Sequence, residues 1–197
     1  MATATEYEDK IKGMGQTQLQ ELWAKHAEGT FDKDFWKSGK LLEYVVLRAF
    51  ELEGAKVTYP YSVRDDIRNI ELEQIDGAIH IDGFHCLTEC KDYAKDSIDV
   101  VPLAKMRNQL ARRHSSLFGI FFTMTKFTDS AEALVGYMAP QLILLWERED
   151  FDYCIMNGCF VDCMKKKYEA ALESCEYDFK YAQSRMKEET MRSNPLF

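Results

Sequence analysis

Residues 72–91 read LEQIDGAIHI-DG-FHCLTECK, two alternating runs joined by Asp82-Gly83. Alternation with period two marks strands, and Asp-Gly suits the two-residue type I′ turn, which needs positive φ at both positions. That turn fixes the register. Ile81 faces Phe84, Ile79 faces Cys86, Gly77 faces Thr88 and Ile75 faces Cys90, a largely apolar face expected in the core. The opposite face sets Asp76 across from Glu89 and Gln74 across from Lys91. Two carboxylates directly opposite, with Cβ atoms roughly 5 Å apart, repel one another. A conflict of this kind in an otherwise consistent hairpin marks a functional site. A divalent cation between the acids would resolve it, and hard oxygen donors suit Mg²⁺ or Mn²⁺, which keep several waters and accept phosphate oxygens. The bland alternative is two exposed acids with Lys91 as counter-charge. His80 and His85 also oppose each other. His80 lies four residues from Asp76, roughly 13 Å along a strand, too far to share one ion, so these read as two partly exposed histidines.

Outward from the hairpin, apolar periodicity supplies the other elements. Residues 1–35 read as a helical lead-in interrupted at Gly13 and Gly15, with Leu19, Leu22, Trp23 and Ala27 as its stripe. Ser38 is placed to cap a helix running to Glu53, with Leu42, Val45, Val46, Ala49 and Phe50 facing the core and Gly54 ending it. A strand over Lys56 to Ser62 and a polar loop over Arg64 to Asn69 precede the hairpin. A helix from Val101 to His114 follows it, then a fully covered strand from Leu117 to Thr123. Asp129 and Glu132 form a capping box for a helix to Met138, and Gln141 to Trp146 is a second buried strand. A helix over Asp150 to Met156 ends at Asn157-Gly158. One long helix from Phe160 carries Met164, Tyr168, Ala171, Cys175, Phe179, Ala182 and Met186 as a stripe for its own domain or a partner chain. This order implies a sheet with helices on both faces.

The 197 residues are 46% hydrophobic and 29% charged, values of a folded chain that exclude disordered, collagen-like and low-complexity classes. The longest apolar run, Leu117 to Met124, is far short of the roughly 20 residues of a membrane span. With no secretory signal visible, a cytoplasmic protein without membrane partners is expected, its six cysteines reduced. Cys159 and Cys163 share a helix face but have no histidine near them in sequence, and read as small buried hydrophobes rather than a zinc site. The net charge of −8 is uneven: residues 95–126 carry six basic and two acidic side chains. A basic stretch on an acidic body allows local binding of a polyanion.

Asp76, followed on the next strand by Glu89-Cys90-Lys91, resembles the metal-binding signature of the PD-(D/E)xK nucleases, the restriction-endonuclease-like superfamily. Gly39-Lys40-Leu41-Leu42-Glu43 is similar to the segment that brings that family's helical acid to the site, and Ile75-Asp76-Gly77 to its first metal-ligand strand. Gly119 to Thr123, then Lys126-Phe127-Thr128 and Ala131, look like the strand and helix that follow the site in the Mrr-type branch, and Gln141 to Trp146 takes the place of its last core strand. The resemblance covers residues 36–158. Ile75 stands where the family often has proline, and no winged-helix or other DNA-reading domain is evident.

The resemblance implies a three-layer α/β/α core with a mixed central sheet over 36–158, flanked by a helical N-terminal extension over 1–35 and a C-terminal helix over 159–197. It implies a Mg²⁺-dependent DNA endonuclease, of restriction or phage-defence type, with Mn²⁺ able to substitute. A repair or recombination nuclease acting on branched DNA and a non-catalytic DNA-binding module are the alternatives. Asp76 and Glu89 would bind the ion with the Cys90 carbonyl, and Glu43 directly or through water. Lys91 would orient the attacking water, with a pKa depressed beside the metal, while Gln74 would support water or substrate or serve only as a sheet residue. On the following helix Leu103, Met106 and Leu110 form the apolar stripe, leaving Lys105, Gln109, Arg112 and Arg113 to meet DNA phosphates. The basic run Lys165 to Lys167 is the competing surface. Cleavage of both strands needs two sites, so a homodimer or a separate recognition subunit is the expected partner.

Overall fold

The structure of the chain, a computed structural model, describes residues 2–37, 39–93, 95–114 and 116–193. In chain order it forms helices α1 (Ala4–Lys12), α2 (Gln16–Glu28) and α3 (Lys40–Leu52) and strands β1 (Lys56–Thr58), β2 (Tyr61–Asp65), β3 (Ile70–Ile75), β4 (Gly77–Ile81) and β5 (Phe84–Lys91). Helix α4 (Val100–Ala111), strand β6 (Phe118–Thr123), helix α5 (Asp129–Val135) and strand β7 (Ile143–Trp146) follow, then helices α6 (Arg148–Asn157), α7 (Phe160–Ser174) and α8 (Tyr181–Ser193).

The main sheet has the order β1-β4-β5-β6-β7, antiparallel from β1 to β5 and parallel from β5 to β7. Every residue of β6 and β7 is buried, as parallel strands covered on both faces must be. One face packs on α1, α2, α3, α6 and α7 through Phe50, Phe122, Trp146 and Phe160; the other packs on α4 and α5 through Leu103, Met106, Phe121 and Leu145. This is the expected three-layer α/β/α arrangement with a mixed central sheet. Among the described residues no helix is long and apolar enough to cross a membrane.

Helix α3 is buried nearly all round, with nine of its residues in the interior, which is what an apolar run without a polar face dictates. It lies close on the sheet because Gly77 has no side chain: a Cβ there would come within 2.6 Å of Leu47 Cδ2. That approach carries Glu43, one turn before Leu47, over the start of β4. The expected cap, Ser38, lies outside the described residues; the residue before the helix is Gly39, in the left-handed region with φ +79°.

The hairpin turn is as expected, with positive φ at both Asp82 and Gly83 and the register Ile81 to Phe84, Ile79 to Cys86 and Gly77 to Thr88. The register stops at Gly77. β3 leaves the main sheet and pairs with β2, setting Ile75 opposite Tyr61 and Gln74 opposite Ser62. The expected pairs Asp76 with Glu89, Ile75 with Cys90 and Gln74 with Lys91 are therefore absent from the ladder. The segment expected as one strand from Lys56 to Ser62 breaks at Tyr59-Pro60, and Arg64 and Asp65 belong to β2 rather than to a loop. Proline has no amide to donate, so it interrupts a ladder.

Two further differences concern helix ends. Thr128 caps α5, its hydroxyl accepting from the Ala131 amide, so the cap lies one residue before Asp129. The long C-terminal helix is two helices. Cys175 ends α7 in the left-handed conformation, and the Tyr177 carbonyl accepts the Leu145 amide at 3.0 Å. The chain thus gives up helix there to satisfy a backbone group of β7. Met186, expected on the buried stripe, is exposed. Lys167 is wholly buried and pairs with Asp150 at 2.6 Å, so Lys165 to Lys167 is not a continuous basic surface.

Candidate active site

Asp76 occupies the bend between β3 and β4, where leaving one sheet for the other frees its carboxylate from the alternation of a strand. Its Oδ2 accepts the Cys90 amide at 2.9 Å. Glu89, on β5, is only 1% exposed. Lys91 Nζ donates to Glu89 Oε1 at 2.7 Å and Lys105 Nζ, from α4, donates to the same oxygen at 3.1 Å. Glu43, from α3, receives Lys40 Nζ at 3.0 and 2.7 Å. Three acids and three lysines thus gather at the C-terminal end of β5.

The acids act on one another. Burial pushes the Glu43 carboxyl up to about 7, helped by the Asp76 charge and opposed by Lys40. Burial also raises Asp76, Glu89 adds to the rise, and the Cys90 amide opposes it without prevailing. For Lys91, burial lowers the pKa, but the Glu89 carboxylate beside it and Asp76 behind it prevail and hold it above its ordinary value. The Cys90 thiol is pushed far up by burial and then by the three acids, so it stays protonated and only its carbonyl is a candidate donor.

Among the described residues, no three His, Cys, Asp or Glu side chains stand together as a complete cluster for an ion. The donor set that fits a hard divalent cation is Asp76, Glu89 and the Cys90 carbonyl, with water filling the remaining positions, a habit of Mg²⁺. Glu43 and Asp76, raised by burial and then by the charge of a neighbouring acid, are the observation that supports the fit, since a bound cation would offset that repulsion.

Glu43 makes stability depend on pH. Its folded-state pKa lies above the unfolded value near 4.5, so the folded protein holds more protons between those values and loses stability as pH rises through them. The loss amounts to about 3 kcal/mol by pH 8. In chelator, Glu43→Gln is expected to gain on wild type by about that amount between pH 4 and pH 8 in urea denaturation. An unchanged difference between the two proteins across that range would refute the assignment.

The proposed DNA-facing side chains divide. Lys105 is exposed but bonds Glu89, which makes it part of the acidic cluster. Gln109 is buried, and its amide donates to the Gln74 carbonyl at 3.0 Å; it braces β3 and does not face a ligand. Arg112 and Arg113 both pair with Glu73 of β3, and Arg113 also donates to the Gln109 carbonyl. Burial raises the Glu73 carboxyl, but the two guanidiniums prevail and hold it below its ordinary value. Reversing both arginine charges would therefore unseat the β2–β3 hairpin as well as alter the surface. His80 and His85 contact each other, Nδ1 to Nδ1 at 2.9 Å, at the far end of the hairpin.

Sequence reasoning missed Lys40 and Glu73. Lys40 was discoverable, standing three residues before Glu43 on one helix face. Glu73 was not, because its partners lie about forty residues away.

A family model, Mrr_cat, described as a restriction endonuclease, matches residues 37–155. No curated protein matches the chain. Among solved structures, the small subunit of the heterodimeric restriction endonuclease R.BspD6I is 13% identical, with 90% of this chain and 98% of that one covered and a TM-score of 0.50, a likeness of fold. The restriction endonuclease MspJI, solved with a 27-mer oligonucleotide, is 16% identical over 95% of this chain and 42% of its own, with a TM-score of 0.42. A protein of unknown function, AF1548, is 20% identical over 54% of this chain and 58% of that one, with a TM-score of 0.40. The chain spans less than two thirds of the length of the last two.

Proposed function

This chain belongs to the restriction endonuclease family that it matches over residues 37–155, and on that premise we propose a divalent-metal-dependent DNA endonuclease of restriction or phage-defence type. The observation that carries the reading is the gathering of Glu43, Asp76, Glu89 and Lys91, with Glu43 and Asp76 raised by burial and then by a neighbouring acid and Lys91 kept charged.

Asp76, Glu89 and the Cys90 carbonyl would hold Mg²⁺ or Mn²⁺, and Glu43 would hold it directly or through water. Such an ion supplies charge that polarises the phosphoryl oxygen and eases ionisation of the attacking water. Lys91 remains an ammonium, so its Nζ serves to orient the water and to offset negative charge developing on the phosphoryl oxygens. Lys40 donates to both oxygens of Glu43 and favours its ionised form, without overcoming the effect of burial. Lys105 is placed between Glu89 and solvent, where it would meet the phosphate next to the one cleaved. Gln74 lies two residues before Asp76 and would support the substrate. The partner on this reading is cytoplasmic DNA, and a second copy or a separate recognition subunit would supply the site for the opposite strand.

Supercoiled, linear and branched DNA incubated with Mg²⁺, with Mn²⁺ and with chelator tests the reading. Cleavage is expected with either ion and none in chelator; no cleavage of any DNA with either ion would overturn it. Lys91→Ala is expected to lower the single-turnover rate about a hundredfold with DNA affinity little changed, since one contact is a small share of polyelectrolyte binding. Loss of affinity with the rate retained would make Lys91 a binding residue instead.

A further inference from the structure

A cleft of about 370 Å³ opens beside Asp76 and Lys40. It is bounded by the start of α1, by α3 and by the β2–β3 hairpin. Its floor is the buried Tyr44, whose hydroxyl donates to the Ala4 carbonyl at 3.2 Å. The half-buried Tyr61, Ala4 and the exposed Gln74 also line it. Among the described residues the Gln74 side-chain amide has no hydrogen-bond partner, while its carbonyl is taken by Gln109.

We propose that this cleft binds a single nucleotide, the one adjoining the scissile phosphate, and that the preferred substrate is DNA unpaired at that position. The inference rests on the nuclease reading of the neighbouring acids. Three features of the cleft match three parts of a nucleotide. Lys40 is the cation for a phosphate, Tyr61 offers an aromatic face for a base, and Gln74 offers both donor and acceptor for a base edge. The volume lies near the lower end of the range for small-ligand pockets, roughly 300–1,000 Å³, which suits one nucleotide. A paired base can enter only by leaving its stack, a cost that an unpaired base largely avoids. The cleft is built partly by α1, which lies outside the residues matched by the family model.

The test uses the full chain. In chelator, deoxyadenosine and thymidine 5′-monophosphates are titrated against inorganic phosphate, followed by NMR shifts. The mononucleotides are expected to bind at least tenfold more tightly than phosphate. Tyr61→Ala, which removes the ring, and Ala4→Phe, which fills the cleft without removing a contact, are each expected to weaken the nucleotides tenfold or more and leave phosphate unchanged, as loss of a stacking platform predicts. With Mg²⁺, a duplex carrying one unpaired nucleotide at the cut is expected to be cleaved at least tenfold faster than its fully paired form, with the preference gone in both variants. Mononucleotides binding no better than phosphate, or binding equally to Ala4→Phe, would overturn the proposal. Equal cleavage of paired and unpaired DNA without nucleotide binding defeats the cleft alone. Nucleotide binding by a protein that cleaves no DNA defeats the nuclease reading, and with it the link to a scissile phosphate.

Discussion

Asp76→Asn is expected to lower DNA cleavage at least about a thousandfold, the consequence of withdrawing several kcal/mol of transition-state stabilisation supplied at a metal site, while making the metal-free protein more stable. The two halves of that result have one cause. Asp76 is a half-buried acid raised by burial and by Glu89, and Glu43 is raised by burial and then by Asp76. Removing the Asp76 charge relieves Glu43, and an asparagine oxygen still accepts the Cys90 amide. Calorimetry should show Mg²⁺ binding lost and a higher melting temperature in chelator. Glu89→Ala should differ. Glu89 is 1% exposed and anchors Lys91 and Lys105, so truncation strands a partly buried ammonium. It is expected to lose activity and stability together. Full activity in Asp76→Asn would sink the assignment, and a stabilised Glu89→Ala would show that the lysines do not depend on it.

The second large effect lies far from the acids. Lys167→Ala is expected to cost about 3–5 kcal/mol, the penalty for breaking a buried pair by removing one partner. Lys167 and Asp150 side chains are 0% and 3% exposed and 2.6 Å apart. Lys167 also donates to the Phe179 carbonyl, and Asp150 accepts the Ala182 amide at 2.8 Å, so the pair joins α6, α7 and α8. Against a typical total of about 5–15 kcal/mol, its loss would detach or unfold the C-terminal helices. The double variant Lys167→Met with Asp150→Asn keeps the acceptor for Ala182 and buries no charge, and should recover most of the stability. Urea midpoints decide the matter: a cost under 1 kcal/mol for Lys167→Ala would show that the pair is not closed in solution.

What was legible beforehand was local. The Asp82-Gly83 turn, the register from Gly77 to Thr88, the buried runs of β6 and β7 and the stop at Gly158 all follow from neighbouring residues. The acids Glu43, Asp76 and Glu89 were also legible as candidates, through like charge in the hairpin and a resemblance of spacing. Gln109 was misread because helical periodicity locates a face but does not say that β3 will cover it. The C-terminal stripe was misread for a similar reason, since Cys175 and Phe179 keep helical spacing across a segment that leaves the helix to bond β7.

By itself, then, the sequence determined the turn, the strands and the apolar faces, because turn chemistry and side-chain periodicity are set by residues a few positions apart. The tertiary structure alone decided that β3 departs from the main sheet at Asp76, that Lys105 reaches Glu89, and that Glu73 holds both Arg112 and Arg113. Those contacts join residues 16 to 40 positions apart. They depend on which buried charge can reach a partner once the layers have packed, and packing, not local preference, fixes that choice.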